Sequence, residues 1–329
     1  MEKVAVIGSN SFSGSHFVDY LLEKTDYGVI GISRSPEPNS IFLPYKERKS
    51  ERFKFYQFDL NNNLGEITEL LEKEKISYVV NYAAQGMVGQ SWGNPVQWFK
   101  TNTLAIVALI DKLRRMPQIK KYVQVSTPEI YGSCKNVSED APYNPTSPYA
   151  TSKLSADMFI QSIVKQFNFP AVFTRSANVY GPGQQLYRII PISIIKIKKG
   201  EKIQLQGGGK AIRSFINIKD NCDGTLKVME RGEVGEVYHL SSEITYSIES
   251  IVRIICKKMN ISFEDAVEIT EERVGGQDKE YLINSKKIRE KLNWNPRIRL
   301  DDGIDECIEW VNKNWEVIKT QPLEYIHKE

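Results

Sequence analysis

Lys3-Val4-Ala5-Val6-Ile7 is a short apolar, β-branched run that opens directly into Gly8-Ser9-Asn10-Ser11-Phe12-Ser13-Gly14. An amphipathic stretch follows, with Phe17, Val18, Tyr20, Leu21 and Leu22. The pattern is a buried strand, a glycine turn and a helix. Such a turn lets the backbone approach a pyrophosphate and aims a helix N-terminus at it. Gly8, Ser11, Phe12, Ser13 and Gly14 are therefore candidate dinucleotide contacts. Ser11 stands where the extended Gly-x-x-Gly-x-x-Gly pattern has its middle glycine. Serine is small, and its hydroxyl can donate to phosphate.

The alternation continues. Val29 to Ser35 reads as a second strand, and Phe53 to Phe58 as a third that ends in Asp59-Leu60. Tyr78 to Gly86 is a strand ending in the small residues Ala83, Ala84 and Gly86, with Gln85 among them. Tyr122 to Val125 and Ala171 to Arg175 are further strands, and Ile67 to Lys75 and Leu104 to Leu113 are helical. Repeated strand-helix units predict a Rossmann-like, doubly wound parallel sheet covered on both faces. We place this dinucleotide-binding domain at residues 1–178. A smaller mixed α/β lobe follows at 179–329, with chain segments partly interleaved. Its expected elements are helices over Ile189 to Lys199, Ser247 to Met259 and Gly303 to Trp315, and a strand over Ile203 to Gln206. Pro36 to Arg52 shows little periodicity and reads as a long loop, and loops of that length are usually functional.

The end of the second strand chooses the cofactor. A free ribose 2′-OH is held by an acid there, whereas a 2′-phosphate prefers Arg and small hydroxyls. Ser33, Arg34 and Ser35 occupy the position, with no acid before Glu37, so the expectation is NADP, with NAD as the alternative. Asp59 and Leu60 fit the adenine, and the small residues at 83–84 let ribose and phosphates lie against backbone. Asn102 could bond across to a neighbouring strand or cap a helix.

Ser126-Thr127-Pro128-Glu129-Ile130-Tyr131-Gly132 ends the strand that finishes at Val125. Thr127 and Glu129 therefore fall where open parallel sheets place their chemistry. Tyr149 and Lys153 are four residues apart, on one face of a helix. A lysine ammonium near a phenol favours the phenolate and should lower its pKa towards a general base's range.

Composition narrows the partners. Of 329 residues 26% are charged, and the net charge is only +3, so nothing calls for nucleic acid. Cys134, Cys222, Cys256 and Cys307 lack Cys-x-x-Cys spacing, and the three histidines are scattered, which argues against a disulfide framework or a metal site. No apolar run is long enough to span a bilayer, and the expected location is the cytoplasm.

Taken together, Gly8…Gly14, Asp59-Leu60, Ala83-Ala84, Asn102, Ser126-Thr127-x-Glu129-x-Tyr131-Gly132, Tyr149-x-x-x-Lys153, Asn178-x-Tyr180-Gly181-Pro182, Arg213-x-Phe215-x-x-Ile218-x-Asp220 and Arg273…Asp278 resemble the extended short-chain dehydrogenase/reductases. Within them the chain is similar to nucleotide-sugar 4,6-dehydratases and epimerases over nearly its whole length. The resemblance implies that Tyr149 is the base at a sugar hydroxyl, and that Thr127 bonds the same oxygen. Lys153 would tune Tyr149 and hold the nicotinamide ribose, beside Val125. Val88, Gln90, Asn178, Arg188, Arg213 and Arg273 would face the nucleotide sugar. Glu129 implies proton removal at C5, hence water loss and a 4-keto-6-deoxy product, with the cofactor tightly bound and recycled. Glucose-type dehydratases of this family carry Asp where this chain has Pro128, and the GDP-mannose type lacks it. That implies a GDP-sugar, GDP-N-acetylglucosamine first, in bacterial surface-sugar biosynthesis. A 4-epimerase or reductase of the same superfamily is the alternative. The resemblance also implies a homodimer through helices 104–113 and 149–165, or a homotetramer through the 36–52 loop.

Overall fold

The computed structural model describes residues 1–271 and 280–327. In chain order the strands are β1 (Lys3–Ile7), β2 (Gly28–Ser33), β3 (Phe53–Gln57), β4 (Tyr78–Asn81), β5 (Lys121–Val125), β6 (Cys134–Val137) and β7 (Ala171–Ser176). β8 (Asn178–Tyr180), β9 (Ile203–Gln206), β10 (Ile212–Asn217), β11 (Val237–Leu240), β12 (Thr245–Ser247), β13 (Val267–Thr270) and β14 (Tyr281–Ile283) follow. The helices that position the site are α1 (Phe12–Lys24), α2 (Leu64–Lys73), α3 (Val88–Ser91), α4 (Pro95–Phe99), α5 (Ala105–Leu113), α6 (Pro148–Phe167), α7 (Ile189–Lys199) and α8 (Ile218–Arg231).

Seven strands form one parallel sheet in the order β11-β7-β5-β4-β1-β2-β3. The order reverses beside β1, and a doubly wound sheet opens its ligand crevice at such a switch point. β1 and β2 are buried on both faces because helices cover the sheet on each side. One core joins Val4, Val6, Phe17 and Leu21 to Val228 and Trp294, and the other joins Ile7, Ile30 and Val79 to Leu109 and Ile160. The expected doubly wound sheet and its smaller mixed lobe are both present.

The lobe is built from short sheets. β8, β10 and β12 form one of three strands, and β9 pairs β13. β14 pairs in parallel with β6, so a late segment lies against the loop that follows β5. In the reverse sense α8 and β11, late in sequence, complete the main sheet. Pro36 to Arg52 is more ordered than its composition suggests. It forms two 3-10 turns, Ser40–Phe42 and Pro44–Arg48, and buries Leu43 and Tyr45 against α1. Among the described residues no helix is long and apolar enough to cross a membrane.

Candidate active site

The glycine turn is shaped by contact. Gly8 has φ +86°, and a β-carbon there would meet Ala83 N at 2.6 Å. A β-carbon on Gly14 would meet Gly8 O at 2.2 Å. These two positions admit only glycine because the backbones of β1, β4 and α1 close on each other. Ser11 caps α1: its Oγ accepts from Gly14 N at 3.1 Å and donates to Gly8 O at 2.7 Å. The hydroxyl proton expected to reach phosphate is thus spent inside the turn, and the helix N-terminus offers backbone N–H groups instead. Ser33 Oγ accepts from Asn10 N at 2.9 Å, which ties the end of β2 to this turn.

A cleft of about 300 Å³ runs from the turn to the end of β3. Gly8, Ser11, Ser33, Arg34, Asp59, Leu60, Ala83, Ala84 and Gln85 all line it. Phe12, Ser13 and Gly14 stand beside it in the first turn of α1. Pro36 and Pro38, from the loop, wall its outer side. The acid nearest to β2, Glu37, is engaged elsewhere, accepting from Tyr45 Oη at 2.8 Å and from Lys46 Nζ at 2.5 Å. Asp59 accepts from Asn61 N at 2.9 Å and from Asn62 Nδ2 at 3.1 Å. Asn10 Oδ1, on the cleft wall, is buried without a hydrogen-bond partner. A tight glycine cradle, a helix N-terminus and an orphaned acceptor fit a dinucleotide.

Asn102 bridges rather than caps. It sits in a π turn, Lys100–Leu104, between α4 and α5. Its Oδ1 accepts from Gln85 N at 2.8 Å, and its Nδ2 donates to Gln85 O and Ser152 Oγ, both at 3.0 Å. The extra residue of a π turn rotates a side chain off the regular helix face, here into the protein interior. The helix was expected over Leu104 to Leu113; the helical run starts earlier, at Pro95, and passes through the π turn into α5.

The catalytic candidates converge from two elements, the turn that follows β5 and the start of α6. Thr127 caps a 3-10 turn, Pro128–Tyr131, with its Oγ1 accepting from Glu129 N at 3.3 Å. Pro128 is buried in this turn, and Glu129 beside it is half-buried. Tyr149 and Lys153 lie one turn apart at the start of α6, whose Ser147 cap accepts from Ala150 N at 3.1 Å. Lys153 donates to Val125 O at 2.8 Å, and burial pushes its pKa down to about 8.

Tyr149 departs from the sequence-based expectation. Burial, reinforced by the Glu129 carboxylate, raises its phenol, and Thr127 and Arg188 oppose the rise. Burial is the larger cause; Lys153, turned to a carbonyl of β5, does not offset it, and the Glu129 charge adds to it. Positive charge brought to this pocket is what a phenolate here requires.

Asn178 and Arg213 meet at Tyr281. Tyr281 Oη donates to Asn178 Oδ1 at 2.5 Å, and the Arg213 guanidinium lies 4.4 Å from the centre of the Tyr281 ring. Arg188, at the start of α7, exerts its charge on both Tyr149 and Tyr281, as does Glu129. Val88 and Gln90 sit on α3, and Gln90 Oε1 is buried without a partner. Arg273 lies outside the described residues.

Sequence reasoning missed Tyr281 and a buried network beneath the Thr127/Glu129 turn. Ser126 Oγ donates to Asp157 Oδ2 at 2.5 Å, and Arg175 Nη2 reaches the same oxygen at 3.2 Å. Arg175 also bonds Tyr131 Oη, which contacts His239 Nε2 at 2.9 Å. Arg175 and Asp157 side chains are 0% and 1% exposed. A charged residue at the end of a predicted buried strand was the available signal, since such charges must be paired.

Among the described residues no cluster of three or more His, Cys, Asp or Glu is placed to hold a metal ion. Known proteins resemble this chain over nearly its whole length. The human dTDP-D-glucose 4,6-dehydratase is 30% identical over 322 residues, covering 95% of this chain and 91% of the relative. A trifunctional UDP-glucose 4,6-dehydratase/epimerase/reductase of Arabidopsis thaliana is 26% identical over 95% of this chain, which spans about half (47%) of that longer protein. The crystal structure of dTDP-glucose 4,6-dehydratase from Bacillus anthracis in complex with NAD superposes with a TM-score of 0.88 at 28% identity, over 96% of this chain and 98% of that one. A UDP-glucuronic acid 4-epimerase from Bacillus cereus, solved with NAD, gives 0.86 at 27% identity, over 94% and 99%. The model of the GDP-mannose 4,6-dehydratase family matches residues 6–307. With the glycine cradle, the Thr127/Glu129 turn and the Tyr149/Lys153 helix all in place, the chain belongs to this family of nucleotide-sugar-modifying short-chain dehydrogenase/reductases.

Proposed function

We propose that this chain is a nucleotide-sugar 4,6-dehydratase that forms a 4-keto-6-deoxy sugar. One observation carries the reading: Glu129 stands on the short turn capped by Thr127, near enough for its charge to act on the Tyr149 phenol. An epimerase needs one proton-handling group at C4; elimination of water needs a second, at C5. Tyr149 takes the proton of the C4 hydroxyl while Thr127 holds the same oxygen. A nicotinamide cofactor, when bound, accepts the C4 hydride and returns it to C6. Gly8, Ser11 to Gly14 and the residues of the adenosine cleft would hold it, with Lys153 at its ribose. Oxidation at C4 makes the C5 proton acidic, and Glu129 removes it. Pro128 has no proton to give, so the protonated Glu129 passes its own to the departing C6 oxygen. Water leaves; return of the hydride to C6 leaves an enolate that is reprotonated at C5, which balances the proton Tyr149 took at C4, so the reaction is redox-neutral.

For the cofactor we favour NADP over NAD, because Arg34 lines the cleft and Glu37 is held by Tyr45 and Lys46. For the substrate we favour a GDP-sugar, in bacterial surface-sugar synthesis, on the strength of Pro128. GDP-N-acetylglucosamine ranks first, because a β-carbon on Gly86 would have nothing within 4 Å, which leaves room for a 2-acetamido group. A homodimer through α5 and α6 is supported by the exposed Leu104 and Met158. We keep the division at residues 1–178 and 179–329, with α8 and β11 lent to the first part.

The test is mass spectrometry of products from GDP-, UDP- and dTDP-sugars. The expected product is lighter by one water, without net cofactor consumption. A product of unchanged mass and altered configuration would establish the epimerase instead.

A further inference from the structure

Tyr281 comes from β14, far in sequence from everything it touches. Its pairing with β6 sets it against the segment that follows the Thr127/Glu129 turn, and a bridge between Ile212 and Glu280 fixes it beside β10. Its side chain engages two partners, Asn178 through the hydroxyl and Arg213 through the ring and a hydrogen bond to the phenol oxygen. The hydroxyl donates to Asn178 Oδ1 at 2.5 Å across 103 residues of chain. The ring carries the Arg213 guanidinium at 4.4 Å.

Each contact settles an orientation. An amide can present either its oxygen or its NH₂ to a ligand. With Oδ1 taken by a donor, Asn178 turns its two N–H groups the other way. Arg213 is 2% exposed, and its Nη1 donates to Ile212 O at 2.7 Å, so the stacked ring and the carbonyl together hold the guanidinium plane. Burial and the Glu129 carboxylate push the Tyr281 phenol up to about 12, against the pull of Arg213 and Arg188. The phenol therefore stays a donor throughout the neutral range. One side chain thus lines up two donor groups, one neutral and one cationic, as an oxygen-rich anion demands.

We propose that Tyr281 is a positioning residue for substrate binding, which orients Asn178 and Arg213 as donors to the diphosphate of the nucleotide sugar. It acts on binding and not on the chemical step. The proposal rests on the dehydratase reading only in taking a nucleoside diphosphate as the ligand.

Calorimetric titration of the purified full chain with GDP, UDP and dTDP tests it apart from turnover. Tyr281→Phe keeps the ring and loses the hydroxyl, and should weaken diphosphate binding about 5- to 10-fold, the worth of one hydrogen bond. KM for the sugar should rise by the same factor with kcat within about twofold. Tyr281→Leu, which also loses the stack, should weaken binding further. Asn178→Ala should weaken binding as Tyr281→Phe does, and the double variant should lose clearly less than the sum of the two single losses. That coupling holds the proposal to account even if Tyr281→Leu fails to fold. Unchanged affinity in Tyr281→Phe, additive losses in the double variant, or a fall in kcat at constant KM would each overturn it. If the wild type binds none of the three diphosphates, the dehydratase reading falls as well.

Discussion

Replacing Asp157 by Asn tests whether the network under the Thr127/Glu129 turn is held by charge. The change keeps shape and leaves a carbonyl for Ser126, which donates to Oδ2 at 2.5 Å. It removes the carboxylate facing the fully buried Arg175. The guanidinium retains the rings of Tyr131 and Tyr143, whose centres lie 5.1 and 5.2 Å away. Ring contacts of this type are worth about 0.5–2 kcal/mol and do not replace a counter-charge. Breaking one side of a buried ion pair costs about 3–5 kcal/mol because the surviving charge stays buried. Against a typical stability of about 5–15 kcal/mol that is a large fraction. Urea unfolding of wild type and Asp157→Asn, compared at matched m-values, measures it. The double variant Asp157→Leu/Arg175→Met should recover most of the loss, since no charge is left inside. A loss of only about 1 kcal/mol in Asp157→Asn, the value of an ordinary hydrogen bond, would refute the reasoning. So would a double variant less stable than either single one.

Three further outcomes are expected. Glu129→Gln should lower the rate of water loss by about 10²–10⁴-fold while substrate still reduces the cofactor, which absorbance of the reduced nicotinamide reads directly. Arg34→Ala should weaken NADP by about tenfold or more, the worth of one charge-assisted hydrogen bond, and leave NAD nearly unchanged in a competitive titration. His16 and His239 are held by burial to about 4 and about 3, below the ordinary 6.5. The unfolded chain then binds protons that the folded chain refuses, so stability present above 6.5 should fall as pH drops towards 4. Urea unfolding at about pH 7 and about pH 4.5 checks this, and His239→Gln should flatten the slope.

Local pattern carried most of the fold. β1, the turn at Gly8 to Gly14 and α1 were legible because strand burial, tight backbone approach and helix capping each impose a residue type within a short window. The Thr127/Glu129 turn and the Tyr149/Lys153 helix were legible for the same reason. Pro36 to Arg52 was not: its 3-10 turns are held by Leu43 and Tyr45 packing on α1, a contact between segments that no periodicity encodes.

The order of residues by itself determined the sheet class, the cofactor turn and the chemical types offered to the site, since these follow from short-range sterics and periodicity. Tertiary structure decided how those groups behave. Lys153 meets a carbonyl, and burial, with the Glu129 charge added, raises the Tyr149 phenol where sequence spacing called for a fall. Tyr281 reaches Asn178 only because β14 pairs with β6, and Asp157 neutralises Arg175 only because α6 packs against the end of β7. A pKa and a hydrogen-bond orientation are set by what lies within a few ångströms. In this chain those neighbours come from segments that only the fold brings together.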